Sequence, residues 1–437
     1  MSLNQQFGDP NTGMVPAADD MIGSGQEGGL MDQVRGWISR VRGGDMGVLP
    51  AVGGFVVLSA LFAVLSPFFL TERNFANLLV QAATLVMLGM GLVFVILLGE
   101  IDLSAGVTSG VTMCSFVVLV NVQHLNWILA LAIAFAIGLA IGTLIGFFVA
   151  KVGIPSFVVT LGLFLGLQGV ELIVIGAGGL YLVQVPEILA IQNSTMPTWA
   201  GWALLGVVAL VSIGTSMWDR ARRTRAGVPN RTALLVLAKL VVILVAGGIV
   251  VFLLNENRGQ SGTVLNGVTV GGHEVTGVPI VVPFVLGILW LGTFVLDRTR
   301  YGRYIYAIGG NAEAARRAGV KIVFVRWTAF IICSTLAVVS GIFQVSYVGS
   351  VDAAMGRDVV LSGVAAAVVG GVSLFGGRGR LLHAAVGALV IAVITNGLGL
   401  LHLAAGINYA VTGTVLILAA TVDAVSRKRN GGGGART

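Results

Sequence analysis

The sequence predicts an all-α membrane protein, a polytopic helical bundle of about twelve transmembrane helices with both termini in the cytoplasm. Composition is the first support. Of 437 residues, 56% are hydrophobic and 10% charged, where a soluble domain carries about 25% charged residues. The mean hydropathy of +0.95 follows from this. Second, the apolar residues gather in runs near the roughly 20 that a bilayer-crossing helix needs. Third, most of the basic residues fall in alternate connections between those runs. A soluble multidomain enzyme is excluded, as is a disordered chain, which would be poor in apolar residues. The 63 glycines follow no three-residue period, so collagen is excluded. They suit helices whose backbones approach closely in lipid.

Residues 1–48 are polar, Gly-rich and in part acidic. They hold no apolar core of signal-peptide type, and the expectation is a loose cytoplasmic tail. Spans follow at about 49–70, 76–98, 103–121, 127–150, 157–175 and 200–217. Six more fall at about 232–254, 278–296, 326–347, 359–374, 381–400 and 407–424. Only a few residues separate the second and third, and the 359–374 run is short. Both places are expected to hold broken or re-entrant elements. A basic, Gly-rich tail closes the chain at 427–437.

Charge tests this count. With the termini inside and the spans alternating, 22 of the 26 basic residues fall on the inner side. They comprise Arg35, Arg40 and Arg42; Lys151; five between Arg220 and Arg231; seven between Arg298 and Arg326; Arg378 and Arg380; and four after residue 424. Arg73, Arg258 and Arg357 fall outside, and Lys239 lies within a span. Lys and Arg collect on the cytoplasmic side of membrane proteins, which also accounts for the net charge of +7 without nucleic acid. The basic turn 219–231 reads as an anchor near anionic lipid.

The inner loop 297–325 has internal organisation. Gly309 and Gly310 are expected to break the preceding structure, and Asn311 to cap a new helix. Glu313 then sits in the first turn, Arg316 and Arg317 toward the end, and Gly319 supplies a left-handed stop. The helix core, Ala312 to Ala315, is small and not amphipathic. It suits a groove on another protein better than a lipid surface.

Polar residues near the spans are few. Asp102 and Ser104 in GEIDLSAG (99–106) either hydrogen-bond a hydroxylated solute at a helix break or cap the next helix. Charge at the bilayer centre is costly, so Glu100 and Asp102 are expected near water or in a cavity. Glu171, a turn from the outer end of its span, is expected to snorkel to the interface, and Lys239 to be structural. Asn396, with Gly397 and Gly399, either faces a translocation path or packs helices together. Cys114 and Cys333 read as packing residues. None of the four lysines follows a glycine, so the chain has no P-loop. The four histidines form no metal cluster, and His383 and His402 make a poor haem pair. The chain is expected to be no enzyme and to bind no cofactor. A secondary transporter driven by ions would need a carboxylate or His relay deep in the bundle, and the acids cluster at span ends instead.

YAIGGNAEAARRAGV (306–320) resembles the coupling-helix loop of bacterial ABC importer permeases for monosaccharides, the ribose/xylose/arabinose group. GEIDLSAG, IPSFVVTLG (154–162), AAAVVGGVSLFGGRGR (365–380) and NGLGLL (396–401) are similar to other segments of that family in the same order. Ala105 replaces the usual Val of the first motif, and Val360 stands where an acid is common, with Asp358 two residues earlier. The resemblance implies a permease domain over 49–426, a ten-span core into which the pair at 200–254, as in xylose-type members, is inserted. It implies a pair of permease copies in the bacterial plasma (inner) membrane, a separate ATP-binding subunit holding ATP and Mg, and an extracytoplasmic sugar-binding protein. Gly310, Asn311, Glu313, Ala314, Ala315, Arg316 and Gly319 would form the coupling helix. Asp102, Ser104 and Asn396 are the candidate solute contacts. The substrate would be a monosaccharide, such as the pentose xylose, moved by alternating access.

Overall fold

The computed structural model describes residues 47–421 apart from 177–178, 228–232, 260–262, 266–267, 271–273, 405, 408, 416 and 419–420. The tail up to residue 46, the C-terminal tail and part of the basic turn 219–231 lie outside the described residues. The helices are α1 (Leu49–Leu65), α2 (Glu72–Ile96), α3 (Ala105–Asn121), α4 (Trp127–Gly146, prolonged by a π turn, Phe147–Val152) and α5 (Ser156–Ile175). After strand β1 (Leu180–Leu182) come α6 (Pro186–Asn193), α7 (Thr198–Arg225) and α8 (Ala233–Asn255). A hairpin of β2 (Thr263–Leu265) and β3 (Val268–Val270) leads to α9 (Val281–Arg298), α10 (Arg300–Gly310), α11 (Ala312–Arg317) and α12 (Ile322–Val348). Strand β4 (Ser350–Asp352), α13 (Arg357–Val369) and α14 (Leu381–Leu400) complete the series, and described residues from 406 to 421 are again helical.

Each of the twelve apolar runs read from the sequence coincides with a helix, the last at its described positions. Among the described residues eight helices are long and apolar enough to cross a membrane, and α1 and α3 are shorter apolar helices. By contact, residues 205–247 form one compact unit, in which Leu205 packs beside Gly247. The rest of the described chain forms another.

In that larger unit α2 is buried nearly all round, with Met87, Leu88, Leu92, Val93 and Val95 wholly enclosed. Helix α12 lies against α2, α3 and α4, and α14 against α2 and α13. Small residues set these distances. A Cβ on Gly142 of α4 would lie 2.9 Å from the Ile331 Cα and the Phe330 carbonyl of α12, and one on Gly91 of α2 would lie 3.1 Å from the Cys333 carbonyl. Such contact is what holds helices together where lipid offers no hydrophobic drive.

Of the two places expected to be broken, the junction of the second and third spans is non-helical, whereas the 359–374 run is helical as far as Val369 and the irregular stretch precedes it. Residues 97–104 separate α2 from α3, and 349–356 separate α12 from α13. With 13 residues α13 is about 20 Å long, short of a hydrocarbon core of about 30 Å. The segment before it supplies the missing length by running antiparallel along α3. The Cys114 thiol donates to the Asp352 carbonyl (3.6 Å), the Met355 carbonyl meets Gly110, and the Gly356 carbonyl meets Gly106. Strand β4 is fixed from its other edge by β1, with Tyr181 opposite Val351.

The connections that charge and alternation assign to the inner side meet one another. The Gly377 N–H donates to the Leu97 carbonyl (2.9 Å), Tyr306 Oη to the Gly379 carbonyl (2.9 Å), and the Ile101 N–H to Ser156 Oγ (3.1 Å). Outer connections meet likewise: β1 pairs with β4, Thr195 bridges Pro279, and Asn121 Nδ2 donates to the Leu182 carbonyl (2.8 Å).

Replacing Gly142 by Leu should overpack the α4–α12 contact and cost about 1–3 kcal/mol. Gly166→Leu, on an open face of α5, should leave stability unchanged. Thermal unfolding of the detergent-solubilised protein distinguishes the two.

Candidate functional site

The turn at 311–319 forms as its residues dictate. Asn311 has extended backbone and its Oδ1 accepts from the Ala314 N–H (2.9 Å), starting α11. Glu313 pairs with Arg316 (3.2 Å) and Arg317 (3.4 Å), and Gly319 ends the turn at φ +79°. Ala315 is buried, whereas Glu313, Arg316 and Arg317 stand in the open. Gly309 and Gly310 form the last turn of α10, which ends there, and the chain turns at Asn311. Gly309 answers a different need: a Cβ there would collide with the Leu97 carbonyl and lie 2.5 Å from the Gly377 nitrogen.

Around that contact the inner connections make a polar hub. Thr299 caps α10 by accepting from the Gly302 N–H (3.3 Å), while Ile305 and Ile308 bury the inner face of that helix. Burial pushes the Tyr306 phenol up to about 12, with the Asp297 carboxylate adding to the effect. It therefore stays a neutral donor to Gly379. Burial likewise raises Tyr301 to about 12, and that hydroxyl accepts from Thr328 Oγ1 (2.9 Å). Glu100 pairs with Arg326 at the start of α12 (3.2 Å), a contact between half-enclosed groups. Leu97, Gly309, Gly377 and the Glu100–Arg326 pair escaped sequence reasoning. Unlike charges in two segments assigned to the same side were the available signal for the ion pair.

Asp102 and Ser104 are wholly buried. Asp102 Oδ1 accepts from both the Ser104 N–H (2.9 Å) and Ser104 Oγ (2.6 Å), so it braces the turn into α3. Its other oxygen has no hydrogen-bond partner, and the Cys333 thiol packs against the carboxylate. Asn396 lies elsewhere. It and Asn74 exchange two amide hydrogen bonds, each 2.9 Å, and Asn396 Nδ2 also reaches Gln81 Oε1 (3.4 Å). Gln81 in turn donates to Tyr347 Oη (2.9 Å). These amides tie α14 to α2 and α2 to α12. The structure thus brings Gly310, Asn311, Glu313, Ala314, Ala315, Arg316 and Gly319 together, and keeps Asp102 with Ser104 apart from Asn396.

The snorkelling expected of Glu171 is overturned. Its side chain is wholly enclosed against α3, with Oε1 in the space that a Cβ on Gly110 would fill, and neither oxygen has a hydrogen-bond partner. The side chain points across to a glycine instead of along its helix to the interface. Lys239, by contrast, is exposed on α8. Among the described residues no group of three His, Cys, Asp or Glu could hold a metal.

Bundled apolar helices, one interrupted crossing and a capped turn between two helices define a multi-pass membrane protein. The model of the family described as branched-chain amino acid transport system / permease component matches residues 74–420, and the chain belongs to that family. It is 32% identical to the xylose transport system permease protein XylH of Escherichia coli (strain K12), over 86% of this chain and 93% of that one. The Haemophilus influenzae XylH is 31% identical over 85% of this chain and 95% of its own. The ribose import permease protein RbsC of Escherichia coli (strain K12) is 28% identical over 84% and 91%. No solved structure matches the chain.

The amide pair generates a test of its own. Asn74→Ala and Asn396→Ala should each destabilise the protein, and a double-mutant cycle should return a coupling of about 1 kcal/mol, within the range for hydrogen bonds between membrane helices. Thermal or denaturant unfolding in detergent reads it.

Proposed function

We propose that the chain is the membrane-spanning subunit of an ATP-driven importer in the bacterial inner membrane. It would carry a monosaccharide, a pentose such as xylose or ribose, inward by alternating access. The observation that carries this reading is the capped turn 311–319. Its charged side chains, paired only with one another, stand exposed to a partner while its buried side, Ala315 and the preceding Gly309, is seated on the hub. A separate ATPase subunit, holding ATP and Mg, docks there. Its closure moves α11 together with Leu97 and the 370–380 loop, since cores switch between discrete arrangements instead of deforming continuously. A second permease copy and an external sugar-binding protein complete the assembly. Sequence similarity to the xylose and ribose permeases over most of both chains supports the substrate class.

The pairs from Glu313 to Arg316 and Arg317 are exposed, and surface ion pairs add little to stability. Glu313→Lys should therefore leave folding intact while a P-loop ATPase no longer co-purifies in mild detergent and pentose uptake falls at least about tenfold, some 1.4 kcal/mol of coupling. Undiminished uptake would sink the docking assignment. A chain that purifies alone and moves pentose in liposomes on an ion gradient would replace the importer with a secondary transporter.

A further inference from the structure

The break at 349–356 and the carboxylate of Glu171 occupy the same place. Glu171 Oε1 and the Met355 carbonyl, two residues before α13 begins, both reach into the gap left by Gly110. Two acceptors thus face each other with no donor between them, since neither carboxylate oxygen has a hydrogen-bond partner. The other groups nearby do not resolve this. The Cys114 thiol is committed to the Asp352 carbonyl, the Asp352 carboxylate repels, and Arg357 acts on Glu171 without closing an ion pair. A buried carboxylate left unpaired is expensive, more so than a neutral group. Helix α13 shows the complementary lack. Its N-cap is Gly356, at φ +84°; the Arg357 N–H donates to the Ala354 carbonyl (3.3 Å), and no side chain caps the N–H groups that follow. Irregular backbone at membrane depth is tolerated where it is buried in protein or lines a cavity, and half-helix ends at such breaks hold solute in other transporter folds.

We propose that the transported solute is held at this break, with Glu171 accepting from one of its hydroxyls and the N–H groups that open α13 donating to a neighbouring oxygen. An acceptor and a set of donors on adjoining elements fit a vicinal pair of hydroxyls, each both donor and acceptor. The solute class is therefore polyhydroxylated and uncharged. This rests on the monosaccharide reading above, and the test separates the two.

The experiment uses the complete importer in proteoliposomes with saturating binding protein. Uptake of xylose and ribose by the unaltered protein comes first, and its absence counts against the monosaccharide reading alone. Uptake is then compared between the unaltered protein and Glu171→Gln for the accepted pentose and for deoxy analogues lacking one hydroxyl each. The expected result is a loss of about tenfold or more in Glu171→Gln, the size of one hydrogen bond to a charged group. The same loss should appear in the unaltered protein for one deoxy analogue, with no further loss when variant and analogue are combined. Co-purification of the ATPase with Glu171→Gln should not change. Losses that multiply for every analogue would overturn the proposal, as a purely structural carboxylate would give them. Undiminished uptake in Glu171→Gln, with only the pH profile flattened, would also overturn it, in favour of a proton bridging Glu171 and Met355. Glu171→Asp provides the same comparison if the Gln variant does not assemble.

Discussion

Inside a bilayer every backbone N–H and carbonyl must find its partner within the protein. Helices satisfy this by themselves, but 97–104, 349–356 and 370–380 cannot, and their placement organises much of the remainder. Each is enclosed by other backbone at contact distance. The Leu97 carbonyl accepts from the Gly377 N–H, the Asp352 carbonyl from Cys114, and the Met355 and Gly356 carbonyls lie on the glycine face of α3. The enclosing positions have little room for a side chain. Gly106, Gly110 and Gly309 therefore answer to space, and the chain's high glycine content follows from interrupting helices as much as from packing them.

The hub and the break stand at opposite ends of the same helices. Helix α12 starts at the Glu100–Arg326 ion pair and ends at Gly349, where the interrupted crossing begins. Helix α2 ends at the Leu97 contact with Gly309 and Gly377, and near its start Asn74 is locked to Asn396. Both helices are packed too closely to bend independently, as the Gly91 contact with Cys333 shows. In the proposed importer, α2 and α12 are the elements that would carry a displacement of the turn 311–319 across the bundle. The small residues that permit close packing also make the bundle a set of levers.

Much of this architecture was legible in the sequence because it depends on local quantities. Apolar run length located the helices, and arginine placement sorted their connections into two groups that do meet separately. Asn311 and Gly319 announced the start and stop of α11 through their own backbone chemistry. What was hidden depends on the facing element. Periodicity cannot tell which side of an apolar helix meets protein, so Glu171 was assigned to the interface when a glycine opposite had made room for it. Asn74 and Asn396 lie 322 residues apart and betray nothing singly. Gly309 marked the end of its helix, but its close approach to Leu97 and Gly377 was hidden, because a glycine's two uses, freedom and smallness, look alike in a sequence.

Asp102 and Glu171 show why buried acids in such a protein cannot be read as one class. Both are wholly enclosed, yet Asp102 spends one oxygen on the Ser104 N–H and hydroxyl and so fixes the turn that starts α3. Removing it would free a backbone donor at a site whose geometry positions Glu100 and the Leu97 carbonyl. Its conservative reading as a cap is sufficient for the contacts it makes. Glu171 makes no contact that stabilises the fold through hydrogen bonding, and its neighbour across the gap is another acceptor. Under the proposal above, a carboxylate with neither oxygen committed, beside the irregular segment that leads into α13, is placed for the arriving solute. The contrast between the two carboxylates, one with an oxygen committed to the turn into α3 and one with neither oxygen committed, separates a residue that shapes the backbone from the residue proposed to hold the solute.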